Sequence, residues 1–186
     1  MNKGNLICFI SLINLFFQIN YCYCIEQERK ALEGAVSNLI TQFSSAMNLR
    51  KKNQISNFIN YYADENAKFE RKSILVDDNN ESISKEEREY ALNKSEYIEY
   101  LCNIASRPLQ YSFNAQITNF NFDHDNKFAI AGIAIEEVAI SQISGPKRSN
   151  LTIKVVVSTN CNFSFDLQQI PPSILGNNCI EKIIIK

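Results

Sequence analysis

Apolar residues in the first third of the chain recur every three or four positions, which predicts two helices. The first is expected over residues 26–52 and the second over residues 54–63. In each, the apolar residues form one stripe that can face a core. The stripes consist of Leu32, Val36, Leu39, Ile40, Phe43 and Met47 in the first helix, and Ile55, Phe58, Ile59 and Tyr62 in the second.

A third helix is predicted from capping signals. Ser84 and Asn93 are each followed by a glutamate three residues later, the spacing of a capping box, so the helix begins at one of them. It ends near Arg107, because Pro108 disfavours a helical residue before it. Its inward residues are Tyr97, Ile98, Leu101 and Ile104.

Beyond Pro108 apolar and polar residues alternate with a period of two, which predicts strands. An earlier extended stretch at residues 67–75 precedes an acidic, Asn-rich loop at residues 76–84. Helices first and an antiparallel meander afterwards are typical of an α+β fold with helices on one face of a curved sheet. The strands are predicted at residues 109–122, 128–140, 151–158 and 162–169, with a fifth at 180–185 and turns at 123–126 and 144–146.

The first 24 residues have the order of a cleavable signal peptide. A single charge, Lys3, precedes an apolar run at residues 6–17 and a polar-aromatic stretch at residues 18–24. Cys22 and Cys24 are small residues two positions apart, as signal peptidase requires, so cleavage is expected directly after the second. The apolar run is too short for a stable membrane span.

Residues 25–186 then form one secreted domain. Removing the leader removes Lys3 alone among the charged residues, which leaves 18 basic and 20 acidic residues. This balance gives no electrostatic reason to expect nucleic acid or an anionic membrane as a partner.

Three cysteines follow the leader, an odd number that leaves one thiol outside an intramolecular disulfide. The pair Cys161 and Cys179 is favoured, because the loop between them holds two prolines and a glycine that turn the chain back. Cys102 is expected to be a buried thiol on a helix, with an intermolecular bridge left open. Four glycosylation sequons also fit export, at Asn80, Asn93, Asn150 and Asn162.

Residues 58–69 and 95–101 resemble the second helix with its following strand, and the third helix, of the nuclear transport factor 2-like (SnoaL-like) superfamily. The resemblance covers most of residues 26–170. More narrowly, the ending at residues 163–179 is similar to small secreted nematode proteins with this domain. The resemblance implies a cone-shaped α+β fold with an apolar cavity, in a superfamily of isomerases, dehydratases, epoxide hydrolases, transport adaptors and dimerisation modules.

Enzymes of this superfamily pair a tyrosine hydroxyl with a carboxylate base, and the resemblance brings forward Tyr62 and Asp64 as candidates. Both also have ordinary readings, as a core tyrosine and a turn residue. The alternative bases are Glu136, Glu137 and Asp166.

Adjacent strand residues point to opposite faces, so one of Glu136 and Glu137 is expected to face inward. A buried carboxylate needs a partner, and Lys154 on the next strand is the expected one. His124 is the only histidine, which excludes a two-histidine metal site, and it lies in a predicted turn.

The sequence therefore favours a secreted binding protein that takes up a small apolar ligand or a protein partner and catalyses nothing. It points to no cofactor and no metal ion. The alternative is a small-molecule isomerase, dehydratase or hydrolase, and a homodimer with a filled cavity is a third possibility. A cavity carboxylate within reach of a tyrosine would favour the enzyme, and a purely apolar cavity the carrier.

Overall fold

The chain divides into two compact units, residues 1–35 and residues 36–186. The structure, a computed structural model, describes the backbone of residues 3–76, 87–144 and 150–186. Side chains are described from residue 25 onward within these ranges, apart from residues 143, 144, 150 and 151.

The first unit is helical. Helix α1 runs from Lys3 to Leu49 and so includes most of the helix predicted over residues 26–52. Within this unit Lys30 pairs with Glu26 one turn earlier, at 2.8 Å. Removal of the first 24 residues stays a prediction. Among the described residues, no helix is long and apolar enough to span a membrane.

The second unit contains the end of α1 and two further helices, α2 (Lys52–Tyr62) and α3 (Lys94–Ser106). The capping signal at Asn93 is confirmed: its side chain accepts a hydrogen bond from the Glu96 amide at 3.0 Å, and the Glu96 carboxylate accepts one from the Asn93 amide at 2.9 Å. The alternative start at Ser84 lies outside the described residues.

Six strands form one sheet with the order β2-β1-β6-β5-β4-β3. The two strands predicted at residues 151–158 and 162–169 are a single strand that ends at Asp166, because Thr159, Asn160 and Cys161 continue the inward and outward alternation. Residues 167–169 lie outside it. The sequence does not predict the short strand at residues 88–92. The strands are β1 (Ala63–Leu75), β2 (Arg88–Leu92), β3 (Gln110–Phe122), β4 (Phe128–Ser144), β5 (Asn150–Asp166) and β6 (Ser173–Ile185).

The sheet is mixed, whereas the sequence predicted an antiparallel one. All neighbours are antiparallel except β1 and β6, which pair in parallel because the meander that ends in β6 returns beside β1. At this seam Gly176 has a φ of 151°, and a Cβ there would lie 2.1 Å from the Lys68 carbonyl oxygen. Glycine therefore permits the close approach of the two strands.

Odd-numbered residues along the strands face the helices and build the core, as Phe69, Ile133 and Phe163 show. Phe43 of α1 packs edge-on against Phe113 of β3, with ring centroids 5.2 Å apart. Asn48 fixes the same two elements together, since its side chain both donates to the Phe113 carbonyl (2.7 Å) and accepts from the Phe113 amide (2.8 Å).

A disulfide joins Cys161 of β5 to Cys179 of β6, the pair favoured from the sequence. The two residues are direct cross-strand partners, with Cα atoms 4.1 Å apart, and both are buried on the inner face. Cys102 is a free, buried cysteine on α3, and its burial raises the pKa of the thiol. The disulfide therefore links two neighbouring strands under the helices.

Candidate functional site

Three charged side chains meet on the inner face of the sheet. Arg71 of β1, Glu137 of β4 and Glu181 of β6 all occupy odd, inward positions and are only 4%, 5% and 3% exposed. The Arg71 guanidinium forms an ion pair with Glu181 through its Nη2 atom. The same nitrogen lies 3.9 Å from Oε1 of Glu137, beyond hydrogen-bond distance. We call these three residues the buried charge cluster.

Hydroxyl groups donate hydrogen bonds to both carboxylates. Tyr111 of β3 donates to Glu137 Oε2 at 2.9 Å, and Tyr100 of α3 donates to Glu181 Oε1 at 3.2 Å. Ser73 donates to Glu181 Oε2 at 2.6 Å. Both oxygens of Glu181 are therefore hydrogen-bonded. In the described part of the chain, Glu137 Oε1 receives no hydrogen bond.

The cluster holds two carboxyl groups against one guanidinium. Burial raises the pKa of Glu137 above its ordinary value, and the charge of Glu181 adds to this effect. The positive charge of Arg71 and the hydrogen bond from Tyr111 oppose the rise without cancelling it. Burial also raises the pKa of Tyr100 and Tyr111, so both remain hydroxyl donors at neutral pH.

Other buried polar atoms on the inner face lack a partner among the described residues. They are Nε of Arg71, Oγ1 of Thr159 and Oδ1 of Asn177. Thr159 lies opposite Glu181 in the β5–β6 register. Leaving such atoms unpaired costs roughly 1–3 kcal/mol each, a cost that a bound polar group or water would remove.

A cavity of about 330 Å³ opens against the cluster, at the end of the sheet where α3 ends. Its polar wall contains Tyr100, Tyr111, Glu137, Ser141 and Glu181. We call it the inner cavity. The rest of its wall is mainly apolar, from Ile104, Pro108, Ala139, Val155, Val157 and Ile183.

Of the two adjacent glutamates, Glu137 faces inward and Glu136 is exposed on the outer face, as the strand period requires. The partner predicted for the buried glutamate is wrong. Lys154 lies opposite Ile140 in the register and is exposed, because its even number places it on the outer face. The ion-pair partner is Arg71.

The other carboxylate candidates do not line the inner cavity. Asp64 accepts a hydrogen bond from the Asn66 amide at 2.8 Å, and Asp166 accepts one from the Gln168 amide at 2.9 Å. Both are turn-stabilising contacts of the Asx type.

Tyr62 is also remote from the buried charge cluster. Its hydroxyl donates to Gln42 at 2.8 Å. Together with the exposed Tyr61 it lines a cavity of about 760 Å³ formed by α1 and α2. That cavity is larger than the inner one, but no Asp, Glu, Lys or Arg side chain lines it, so we assign the candidate chemistry to the inner cavity.

Sequence reasoning missed Arg71, Glu181, Tyr100 and Tyr111. A signal for the two charged residues was present in the strand period. Arg71 continues the inward series of Ala67 and Phe69, and Glu181 follows Cys179 in the same way. A charge at an inward strand position is the pattern that singled out the Glu136 and Glu137 pair.

The remaining sequence candidates lie on the surface or at helix ends. His124 is fully exposed in the turn between β3 and β4, 3.1 Å from Asp125. Of the sequons, Asn93 caps α3 and Asn162 is exposed on the outer face, while Asn80 and the side chain of Asn150 lie outside the described parts. Where side chains are described, no group of three or more His, Cys, Asp or Glu residues is placed to hold a metal ion.

No protein-family model matches the sequence, and no curated protein matches it. Solved structures do match. A protein from Kribbella flavida is 7% identical, with a TM-score of 0.53 over 82% of this chain and 92% of that chain. A protein assigned as scytalone dehydratase from Novosphingobium aromaticivorans is 7% identical, with a TM-score of 0.52 over 87% and 88%.

A type 2 hexachlorocyclohexane dehydrochlorinase is 6% identical, with a TM-score of 0.51 over 84% of this chain and 88% of that one. Identities this low compare folds alone. The narrower resemblance to nematode proteins stays a prediction. Helices on one face of a six-stranded mixed sheet, with these structural neighbours, identify the chain as a protein of the nuclear transport factor 2-like, cone-shaped α+β fold.

Proposed function

We propose that the chain binds a small, mainly apolar molecule in the inner cavity, with the polar end of that molecule against Glu137. The observation that carries the proposal is a buried carboxylate, set into an otherwise mainly apolar wall, with one oxygen that accepts no hydrogen bond from the described residues. The sequence had favoured an apolar ligand, and the buried charge cluster adds a polar anchor to that reading.

The dimensions of the cavity support this proposal. A volume of about 330 Å³ lies at the lower end of the range of known ligand pockets, roughly 300–1,000 Å³. Apolar walls with a few convergent polar groups are typical of such pockets, because burial supplies affinity and the polar groups fix orientation.

Filling the cavity should abolish binding. Val157 lines the inner cavity and faces Glu137 in the register, whereas its neighbour Val156 points to the outer face. We expect Val157→Phe to weaken binding of the neutral dye N-phenyl-1-naphthylamine at least about tenfold, the equivalent of roughly 1.4 kcal/mol. Titration of dye fluorescence measures this change.

Val156→Phe is the matched control, since it adds the same ring one residue away on the opposite face. It should bind the dye like the unmodified protein, and both variants should keep the same far-ultraviolet circular dichroism. Equal dye affinity in the two variants, or no saturable binding in the unmodified protein, would remove the inner cavity as the binding site.

A second candidate function is proton transfer on the bound molecule. The hydrogen bond from Tyr111 to Glu137, 2.9 Å long, is the contact between a cavity carboxylate and a tyrosine that favours an enzyme over a simple carrier, and binding in the inner cavity is the first step of either function. A carboxylate with a raised pKa is a stronger base than an ordinary glutamate. In a dehydration, Glu137 would take a proton from the carbon beside a carbonyl group, and the C–H electron pair would form the double bond. The β-hydroxyl group would leave as hydroxide, which the same proton converts to water. Two structural neighbours are named for eliminations, a dehydratase and a dehydrochlorinase.

The β-hydroxyketone 4-hydroxy-4-phenylbutan-2-one serves as a probe, because loss of water gives a conjugated ketone that absorbs strongly in the ultraviolet. If the chain is such an enzyme, Glu137→Gln should lower the initial rate at least about 100-fold. Glu136→Gln, one residue away on the exposed face, should leave it unchanged. A rate equal to that of buffer would leave ligand binding as the function.

We also propose that the protein is secreted after cleavage before Ile25. The leader pattern supports this, and so does the disulfide, since such bonds persist in oxidising compartments. The N-terminal mass of the chain recovered from the medium of an expressing eukaryotic cell checks the cleavage site and the occupancy of the sequons. A protein partner or a homodimer stays a prediction.

A further inference from the structure

We infer that the molecule held in the inner cavity is an amine that carries a positive charge. This inference rests on the proposed function and narrows it to a chemical class. Three features of the site favour an ammonium group: the charges of the buried charge cluster, a carboxylate oxygen in the cavity wall that accepts no hydrogen bond from the described residues, and the aromatic rings beside it.

The buried charge cluster contains more acidic than basic groups. Arg71 is the one cation in the buried charge cluster, and it faces both Glu137 and Glu181. The titratable groups that pack against the cluster from β3 and α3 are Tyr111, Tyr100 and Tyr97, which are neutral as hydroxyls. The part of β5 that lines the cavity contributes only valines. Arg88 of β2 lines a neighbouring cavity together with Tyr100 and Glu181, but it forms no described ion pair with either carboxyl group of the cluster. With both carboxyl groups ionised, the three residues of the buried charge cluster therefore carry one net negative charge.

The hydrogen-bonding capacity left open in the cavity wall includes an acceptor on the buried charge cluster. Glu137 Oε1 receives no hydrogen bond from the described residues, although Oε2 does. An ammonium group has three donors and no acceptor, so it matches this oxygen, whereas a carboxylate offers no donor to it.

The aromatic wall also favours a cation. The guanidinium of Arg71 already lies over the Tyr100 ring, 4.7 Å from its centroid. Tyr100 and Tyr111 both line the cavity, and the face of a phenol ring attracts positive charge. A carboxylate ligand would instead lie beside two carboxyl groups of the protein, which repel it.

Three probes of similar shape test the inference: 2-phenylethylamine, 2-phenylethanol and phenylacetate. Each is measured by its displacement of N-phenyl-1-naphthylamine from the unmodified protein at neutral pH. We expect the amine to bind at least about tenfold more tightly than the alcohol, and the carboxylate to bind most weakly. Glu137→Gln should remove the advantage of the amine over the alcohol, whereas Glu136→Gln should preserve it.

The pH dependence provides an independent readout. An alkylammonium stays charged up to about pH 10. Any change in its binding below that pH therefore reflects the ionisation of groups on the protein. Because the pKa of Glu137 is raised, that carboxyl group ionises over a range above about pH 4.3, the value for an unperturbed Glu. Amine affinity should increase as the pH rises through this range, and the binding of 2-phenylethanol should change much less.

Each failure has its own signature. An alcohol that binds as tightly as the amine, or a loss of amine binding that is equal in the two glutamine variants, overturns the amine inference and leaves the cavity proposal standing. If Val157→Phe leaves the dye affinity unchanged, the proposed function fails together with the amine inference.

Discussion

Replacing Arg71 with methionine is expected to lower the free energy of unfolding by about 3–5 kcal/mol at neutral pH, the usual cost of removing one partner from a buried ion pair. Arg71 is 4% exposed and lies between two carboxyl groups that are almost equally buried. Without it, Glu137 and Glu181 face each other's charge with no cation between them. Urea unfolding followed by circular dichroism measures the change.

The decrease in unfolding free energy caused by Arg71→Met should be smaller at acidic pH. Arg71 is one of the influences that hold the pKa of Glu137 down, so in the variant the pKa of Glu137 in the folded state lies further above its value in the unfolded chain. The folded state then binds more protons than the unfolded state, so stability falls as pH rises above about 4.3 and is regained as pH falls back. We therefore expect the difference between the variant and the unmodified protein to be smaller at pH 5 than at pH 7.

Lys72→Met is the matched control. Lys72 is the next residue on β1, points outward, and pairs with the exposed Glu87 and Glu89. Its removal should change stability little. If Arg71→Met were as mild as Lys72→Met, or if its cost did not depend on pH, the buried charge cluster would not be an electrostatic unit.

Local periodicity was enough to predict the class of fold and that one of the two adjacent glutamates faces inward. The three helices, the change to a period of two after Pro108, and the exposure of Glu136 with burial of Glu137 all follow from side-chain directions along single elements. The same rule, applied within β5, would have excluded Lys154 as the partner, since Lys154 lies between Ile153 and Val155 of the apolar series and therefore points to the opposite face.

The rest of the site depends on how distant segments meet. Arg71 and Glu181 are 110 positions apart in the chain, and they come together because β6 pairs in parallel with β1. Nothing in the local pattern fixes which strand the end of a meander will join. Strand β2 also gave no signal, because it is only five residues long and its residues are exposed or half-buried.

Placement of Tyr62 and Asp64 illustrates the limit of a family resemblance carried by short segments. The segment of residues 58–69 has the expected secondary structure, the end of helix α2 followed by the start of strand β1. Its polar side chains serve local contacts, however, with Gln42 and with the Asn66 amide. The carboxyl group that lines the inner cavity beside a tyrosine comes instead from β4, in a region that the resemblance did not single out.

Loss of the disulfide is expected to cost about 3 kcal/mol of unfolding free energy, from the chain entropy of closing a loop of 18 residues. The double variant Cys161→Ser, Cys179→Ser should show this loss in urea unfolding. Cys179 lies opposite Arg71 in the β1–β6 register and two residues before Glu181. The bond therefore anchors the strand that carries one wall of the inner cavity, and we expect dye binding to weaken in the same variant.

Cys102→Ala separates this effect from the mere loss of a thiol, because Cys102 is free and buried on α3. Dithiothreitol should lower the stability of the unmodified protein and of Cys102→Ala to that of the double serine variant, and should leave the double variant unchanged. Reduction and the double serine substitution both remove the cross-link, but serine and reduced cysteine differ in polarity. Equal stability of the reduced protein and the double variant would therefore assign the loss of unfolding free energy to the cross-link. A double variant that is much less stable than the reduced protein would assign it to the burial of serine hydroxyls on the inner face.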